Sequence, residues 1–156
     1  MDFSGQKTAD VDSLDIKILM ELNKDARFSY RKIAEKLRVA TGTVQSRIKR
    51  MEKSGVIKNY HARFDFVKLG YTLPTLIGVS IRRGENSSFI KKLEKNKCIY
   101  GLYFVTGEYD LIIAANFKNI NELNEFINKE LGDTLVEKSN TYLILKTLKE
   151  EHTFLS

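Results

Sequence analysis

Up to Met51 the apolar residues recur at helical spacing, and from Val56 the period changes as extended, strand-forming stretches enter. One element cannot satisfy both periods, because side chains repeat every 3.6 residues along a helix and every second residue along a strand. The chain therefore divides near Gly55 into a helical part and a sheet-forming part. The ranges expected from this switch are a first domain over 1–55, an extended connector over 56–70, and a second domain over 71–156. A chain of 156 residues can hold one ordinary domain or two small ones.

In the helical part Asp12 can cap a helix, with Asp15 three residues on, and Leu14, Ile18, Leu19 and Leu22 form its apolar stripe. "NKDAR" interrupts it. Ser29 then caps a second helix whose buried face is Tyr30, Ile33, Ala34 and Leu37, with Ala34 small where two helices should cross closely. A third follows in "VATGTVQSRIKRMEKSGVI". Val44, Ile48 and Met51 make one narrow apolar stripe there, while Gly42, Thr43, Gln45, Ser46, Lys49, Arg50 and Lys53 fill the opposite arc. Arg47 lies on the flank beside the stripe, and Gly55 stands where a left-handed residue ends a helix. Alone, this segment reads equally well as an ordinary amphipathic surface helix. Its context decides: two short helices joined by about four residues, the second basic, behind a bracing helix, describe a helix-turn-helix.

Charge agrees with this reading. The net charge is +6, and within 31–63 the cations Arg31, Lys32, Lys36, Arg38, Arg47, Lys49, Arg50, Lys53, Lys58 and Arg63 face only Glu35 and Glu52. Such a field attracts polyanions, so double-stranded DNA is the expected partner. A membrane is not, because the basic arc offers no large apolar side chain to insert and no run of about 18 apolar residues exists. The opening "MDFSGQKTAD" lacks the apolar core of a signal peptide. Cys98 is the sole cysteine, which excludes an internal disulfide and suggests a reducing, cytoplasmic setting.

After "VIKNYHARFDF", read as extended, and a glycine turn at "KLGY", the expected order is strand 76–82, helix 89–95 behind an Asn86/Ser87/Ser88 cap, strand 99–105, strand 110–117, helix 120–131 and strand 141–148. This β-α-β-β-α-β order is a ferredoxin-like split unit, with both helices on one face of the sheet. The strands are apolar on both sides: Tyr100, Leu102 and Phe104 against Ile99, Tyr103 and Val105, for example. A sheet with one face in water should alternate instead. The helix-free face needs a cover, and a second copy of the chain is expected to supply it.

Taken together, "LDIKILMELNKDARFSYRKIAEKL", "TVQSRIKRMEKSGVIKNYHA", "KLGY", "VTGEYDLII" and "TYLIL" resemble the Lrp/AsnC (feast/famine) transcriptional regulators over roughly residues 11 to 148. The pattern R-I-x-x-[LM]-E-x-x-G-[VI]-I is more specific than a generic helix-turn-helix. The resemblance implies an α+β chain: an N-terminal, winged-helix-like three-helix DNA-binding domain and a C-terminal βαββαβ domain for effector binding and assembly. It implies a homodimer, assembling to tetramers or octamers, with an amino acid or related small molecule as effector and no resident cofactor. Three positions depart from the family: Arg38 stands where Gly is usual in the turn, Ala40 where Ser usually caps the recognition helix, and Asn59 where Gly is usual in the connector.

The residues expected at DNA follow. Gln45 and Ser46, near the N-terminus of the recognition helix, are the base readers, flanked by Thr41 and Thr43. Lys49, Arg50 and Lys53 neutralise phosphates. Arg47 matches the family's arginine and is assigned to a phosphate or a structural ion pair, and Tyr30 and Arg31 meet the backbone. The turn Thr106, Gly107, Glu108, Tyr109 and Asp110 reads on its own as a glycine hairpin turn. It also matches the family's effector loop, which implies that its N–H groups cradle a carboxylate while the Asp110 carboxylate pairs with an ammonium. Phe104, Leu131, Thr141 and Tyr142 would line the remainder, from the same or a neighbouring subunit.

Two other functions compete with this reading. A branch resembling this family decarboxylates tetrapyrroles, but the only histidines here are His61 in the connector and His152 in the tail, and no metal cluster or nucleophile motif is present. No enzyme is expected. An architectural, weakly specific DNA compactor would use the same basic helix.

Overall fold

A computed structural model describes residues 9–82 and 87–150. Asn86 and His152, both named above, and the outer ends of the two domain ranges lie outside the described residues. The described chain forms two compact units, one running to Arg63 and the other from Phe64 to Lys149.

The first unit holds helices α1 (Ser13–Lys24), α2 (Tyr30–Leu37) and α3 (Thr41–Lys53). Asp12 caps α1 in a reciprocal box with Asp15, and the Ser29 side chain accepts from the Lys32 amide to cap α2. Ile18, Ile33, Ala34, Val44, Ile48 and Met51 make the core, with Val56 and Ile57 packed against it. The expected stripe on α3 is thus the buried one. Arg38 ends α2 in the left-handed region at φ 56°, and Ala40 occupies the N-cap of α3 with no side-chain hydrogen bond. Both are local weaknesses that the rest of the core holds in place. Arg38→Gly and Ala40→Ser are each expected to raise the stability of this unit by about 1 kcal/mol, by relieving left-handed strain and by adding a cap. Urea unfolding of the two variants measures it; no gain would mean that the turn is relaxed as it stands.

The second unit contains β1 (Leu73–Ile81), α4 (Ser87–Glu94), β2 (Ile99–Phe104), β3 (Leu111–Phe117), α5 (Ile120–Phe126) running into a π-helical turn (Ile127–Leu131), and β4 (Val136–Leu143). The sheet order is β2-β3-β1-β4 with every neighbour antiparallel, as right-handed crossovers require. Ile77, Val79, Leu111, Ile113 and Phe117 pack with Phe89, Leu93, Leu123, Phe126 and Leu131 into one core on the helix side.

The last strand differs from expectation. It spans Val136–Leu143 rather than 141–148, and Leu145 and Leu148 are 95% and 86% exposed. The apolar run "TYLIL" suggested a later strand, but β4 runs out against the start of β1: Thr75 pairs with Leu143, the Ile144 amide donates to the Pro74 carbonyl at 2.9 Å, and only Leu73 of β1 lies beyond. β4 is an edge strand, and edges tolerate charged residues such as Glu137 and Lys138. β1 likewise begins earlier, at Leu73, and carries Pro74 at its entry, where a missing N–H is tolerated. The helix expected over 120–131 is continuous but widens into the π-helical turn, which buries consecutive Glu130 and Leu131.

On the helix-free face Leu76, Tyr103 and Tyr142 stand exposed beside Ile112 and Ala114. Among the described residues no helix or strand of the same chain covers this apolar face.

Candidate DNA interface and effector turn

On α3 the buried stripe leaves Gln45, Ser46, Lys49, Arg50 and Lys53 on the exposed surface, with Thr41 and Gly42 at its N-terminal end and Thr43 half-buried. Gln45, Lys49 and Lys53 carry no hydrogen bond or ion pair among the described residues. The Ser46 hydroxyl donates back to the Thr43 carbonyl at 3.0 Å, which leaves its lone pairs outward as acceptors. At the start of α2, Tyr30 is partly buried in the core and Arg31 is exposed, 3.6 Å from Glu35. Beyond α3, the Tyr60 hydroxyl donates to Glu52 at 2.9 Å, and burial pushes that phenol up to about 12.

An ion pair is one of the two roles expected of Arg47, but its partners, and any partner for Arg50, were missed by sequence reasoning. Arg47 Nη1 reaches Asp12 Oδ2 at 2.5 Å and Asp15 Oδ1 at 3.1 Å, while Arg50 Nη2 pairs with Asp15 Oδ2. Asp15 has no exposed surface at all. Its carboxylate also accepts the Asp12 amide, so it joins the cap of α1 to the flank of α3. Burying an unpaired carboxylate is prohibitively costly, and here two guanidinium groups offset it. Arg50, expected among the phosphate contacts, is therefore committed first to the fold. The Arg47 hydrogen bond, joined by the Asp15 and Leu14 amides, holds the Asp12 carboxyl down at about 2. That pairing stabilises the folded form fully above the ordinary carboxylate range and is lost as pH falls toward 2.

The turn 106–110 is strapped onto β1. Asp110 donates its amide to the Val79 carbonyl at 3.0 Å and accepts the Val105 amide at 3.0 Å, while its Oδ2 accepts the Ile81 amide at 2.8 Å. One oxygen of the carboxylate assigned to an ammonium is thus already engaged with backbone. Gly107, at φ 122°, occupies a conformation that glycine alone adopts readily. Thr106, Gly107 and Glu108 are exposed, and their N–H groups carry no hydrogen bond among the described residues.

The Tyr109 ring lies flat on the helix-free face over Gly78, where an added Cβ would come within 2.6 Å of it. Its hydroxyl meets Tyr142 at 3.3 Å and accepts from Asn140, and Glu108 pairs with Lys138 at 2.6 Å. Tyr142, Asn140 and Lys138 share this face because they sit two residues apart on β4. The remaining residues of the expected site do not join them. Phe104 and Thr141 pair with Leu111 and Ile77 on the helix side, and Leu131 is buried in that core. Within one chain the sheet itself separates them from Tyr109 and Tyr142. Gly78→Ala is expected to lift the Tyr109 ring off the sheet and to cost about 1–3 kcal/mol of this unit's stability, as overpacking does. Thermal unfolding together with tyrosine fluorescence checks it; an unchanged transition would mean that the ring has room to yield.

Comparison with known proteins now decides the family. Residues 11–52 match the AsnC-type helix-turn-helix domain, and residues 75–154 match the Lrp/AsnC ligand binding domain. The chain belongs to the Lrp/AsnC family. A curated HTH-type transcriptional regulator of Pyrococcus abyssi is 40% identical over 141 residues, covering 90% of this Lrp/AsnC chain and 96% of its own length. The regulator Ptr1 of Methanocaldococcus jannaschii is 33% identical, covering 90% and 95%. Among solved structures, E. coli AsnC superposes with a TM-score of 0.85 at 24% identity over 93% of this chain and 99% of that one. A Neisseria meningitidis regulator, solved as its L-Met complex, gives 0.86 at 25% identity over 92% and 95%. This Lrp/AsnC chain is accordingly a helix-turn-helix transcriptional regulator with a ligand-binding domain.

One signal in the sequence points to part of what was missed. Starting the last strand at Val136 would have put Lys138 and Asn140 on one face with Tyr142 by simple alternation. The pairing of Asp12 and Asp15 with Arg47 and Arg50 has no such local signature.

Proposed function

We propose that α3 enters the major groove of double-stranded DNA and that an amino acid or related small molecule modulates this from the turn at residues 106–110. Gln45 and Ser46 read base edges, with Thr41 and Thr43 beside them. Lys49 and Lys53 neutralise phosphates, and Tyr30 and Arg31 approach the backbone from the start of α2. The observation that carries this reading is the exposure of Gln45, Lys49 and Lys53, all without a side-chain partner among the described residues, opposite a fully buried stripe. A helix that served packing alone would gain nothing from unpaired cations of one sign.

Two chains pair through the helix-free sheet face, and such dimers assemble to tetramers or octamers. The exposed Leu76, Tyr103 and Tyr142 support this. A dimer also serves DNA reading, since two recognition helices about 34 Å apart would match successive major-groove turns. The free N–H groups at Gly107 and Glu108 suit a carboxylate, and the L-Met complex of the Neisseria meningitidis relative supports an amino-acid effector. The chain acts as a regulator rather than an enzyme, with DNA as its partner in the cytoplasm.

Selection of bound sites from random duplex DNA, with and without a panel of amino acids, tests this reading. A recurring two-fold site whose recovery shifts with one or more amino acids is expected. Uniform recovery of all sequences would favour a compactor instead.

A further inference from the structure

The ion pairs of α3 are unequal, and the inequality has a use if α3 docks on DNA as proposed above. Asp15 is fully buried, and its two oxygens are held by Arg47 and by Arg50. It cannot release both. Asp12 differs: its side chain is half exposed, and its Oδ1 is already taken by the amides of Leu14 and Asp15, so only Oδ2 faces Arg47. Freeing that one oxygen into water strands no buried charge, because Arg50 and the 3.1 Å contact to Arg47 still neutralise Asp15. Arg47 is itself a quarter exposed, and among the described residues all its hydrogen bonds run through Nη1, so Nη2 and Nε remain available. A guanidinium with unused donors on the flank of a groove-entering helix is a ready bidentate ligand for phosphate.

We propose that Asp12 is a built-in competitor for the DNA backbone: it holds the Arg47 guanidinium in the free protein and yields it to a phosphate when α3 docks. Asp15 stays in place throughout and positions both arginines. The exchange restrains sequence-independent binding, since it sets the carboxylate of the α1 cap against every backbone phosphate that approaches Arg47.

Asp12→Asn tests this, because asparagine caps a helix as well as aspartate and keeps the acceptor for the Leu14 and Asp15 amides. Binding to a selected site and to random duplex should both tighten by about two- to fivefold, the weight of one exposed ion pair removed from competition. Asp12→Ser, another good cap, should do the same. A purely structural role for the pair would weaken binding, so the sign is decisive: unchanged or weaker binding in both variants overturns the proposal. The gain should vanish when Arg47→Ala is present; a gain that persists there is a general charge effect and overturns it equally. Lys49→Ala is titrated in parallel. If it costs no affinity, the docking of α3 is itself wrong; if it costs affinity while Asp12→Asn gives no gain, only the role of Asp12 falls.

Discussion

Replacing Arg47 and Arg50 together by alanine should destabilise the three-helix unit by about 3–5 kcal/mol, more than any single exposed substitution on α3. Neither arginine contributes this through its own burial, since they are one quarter and one half exposed. The cost arises at Asp15, which has no exposure and would be left as an unpaired carboxylate between α1 and α3. Adding Asp15→Asn to the double variant removes the stranded charge and should recover much of the loss, a coupling that additive surface effects cannot produce. Urea unfolding of the three forms measures it. Equal stability of the double and triple variants would show that water reaches Asp15. The point bears on function, because lost DNA binding in an arginine variant of α3 would otherwise be mistaken for a lost phosphate contact.

Lys49→Ala should weaken binding to every sequence by a similar factor and lower the salt slope of the affinity by about 0.9, the release of one phosphate's counterion. Lys49 suits this test because it is exposed and has no partner among the described residues, so its removal disturbs no part of the fold. Gln45→Ala should act differently, relaxing preference at one base position by about 1–3 kcal/mol while leaving the salt slope unchanged. Titrations at several salt concentrations on a selected and a random duplex separate the two. Identical behaviour of both variants would dissolve the division between base reading and phosphate contact.

What could be read from the sequence was what repeats locally. Val44, Ile48 and Met51 fall on one stripe because a helix imposes the 3.6 period, and all three are buried. The βαββαβ order followed from the change of period, and the uncovered face followed from apolar residues on both sides of the strands. Long-range pairing was not legible. Asp12 and Asp15 read correctly as caps, yet nothing in their neighbourhood points to arginines 32 to 35 residues away. The same limit displaced the last strand: "TYLIL" looks more like a strand than "VEKSN", but register with β1 outweighs propensity, and a polar edge is tolerated. That shift concealed Lys138 and Asn140 beside Tyr109. It also allowed Leu131 and Tyr142 to be grouped, although the sheet lies between them.

Entry of α3 into the major groove is tested most directly by a photoreactive side chain placed at position 45 and irradiated with a selected duplex. Crosslinks to bases in the major groove of the site, repeated one helical turn away, are the expected result. Crosslinks from a control position on the second unit, such as 118, with none from position 45, would contradict it.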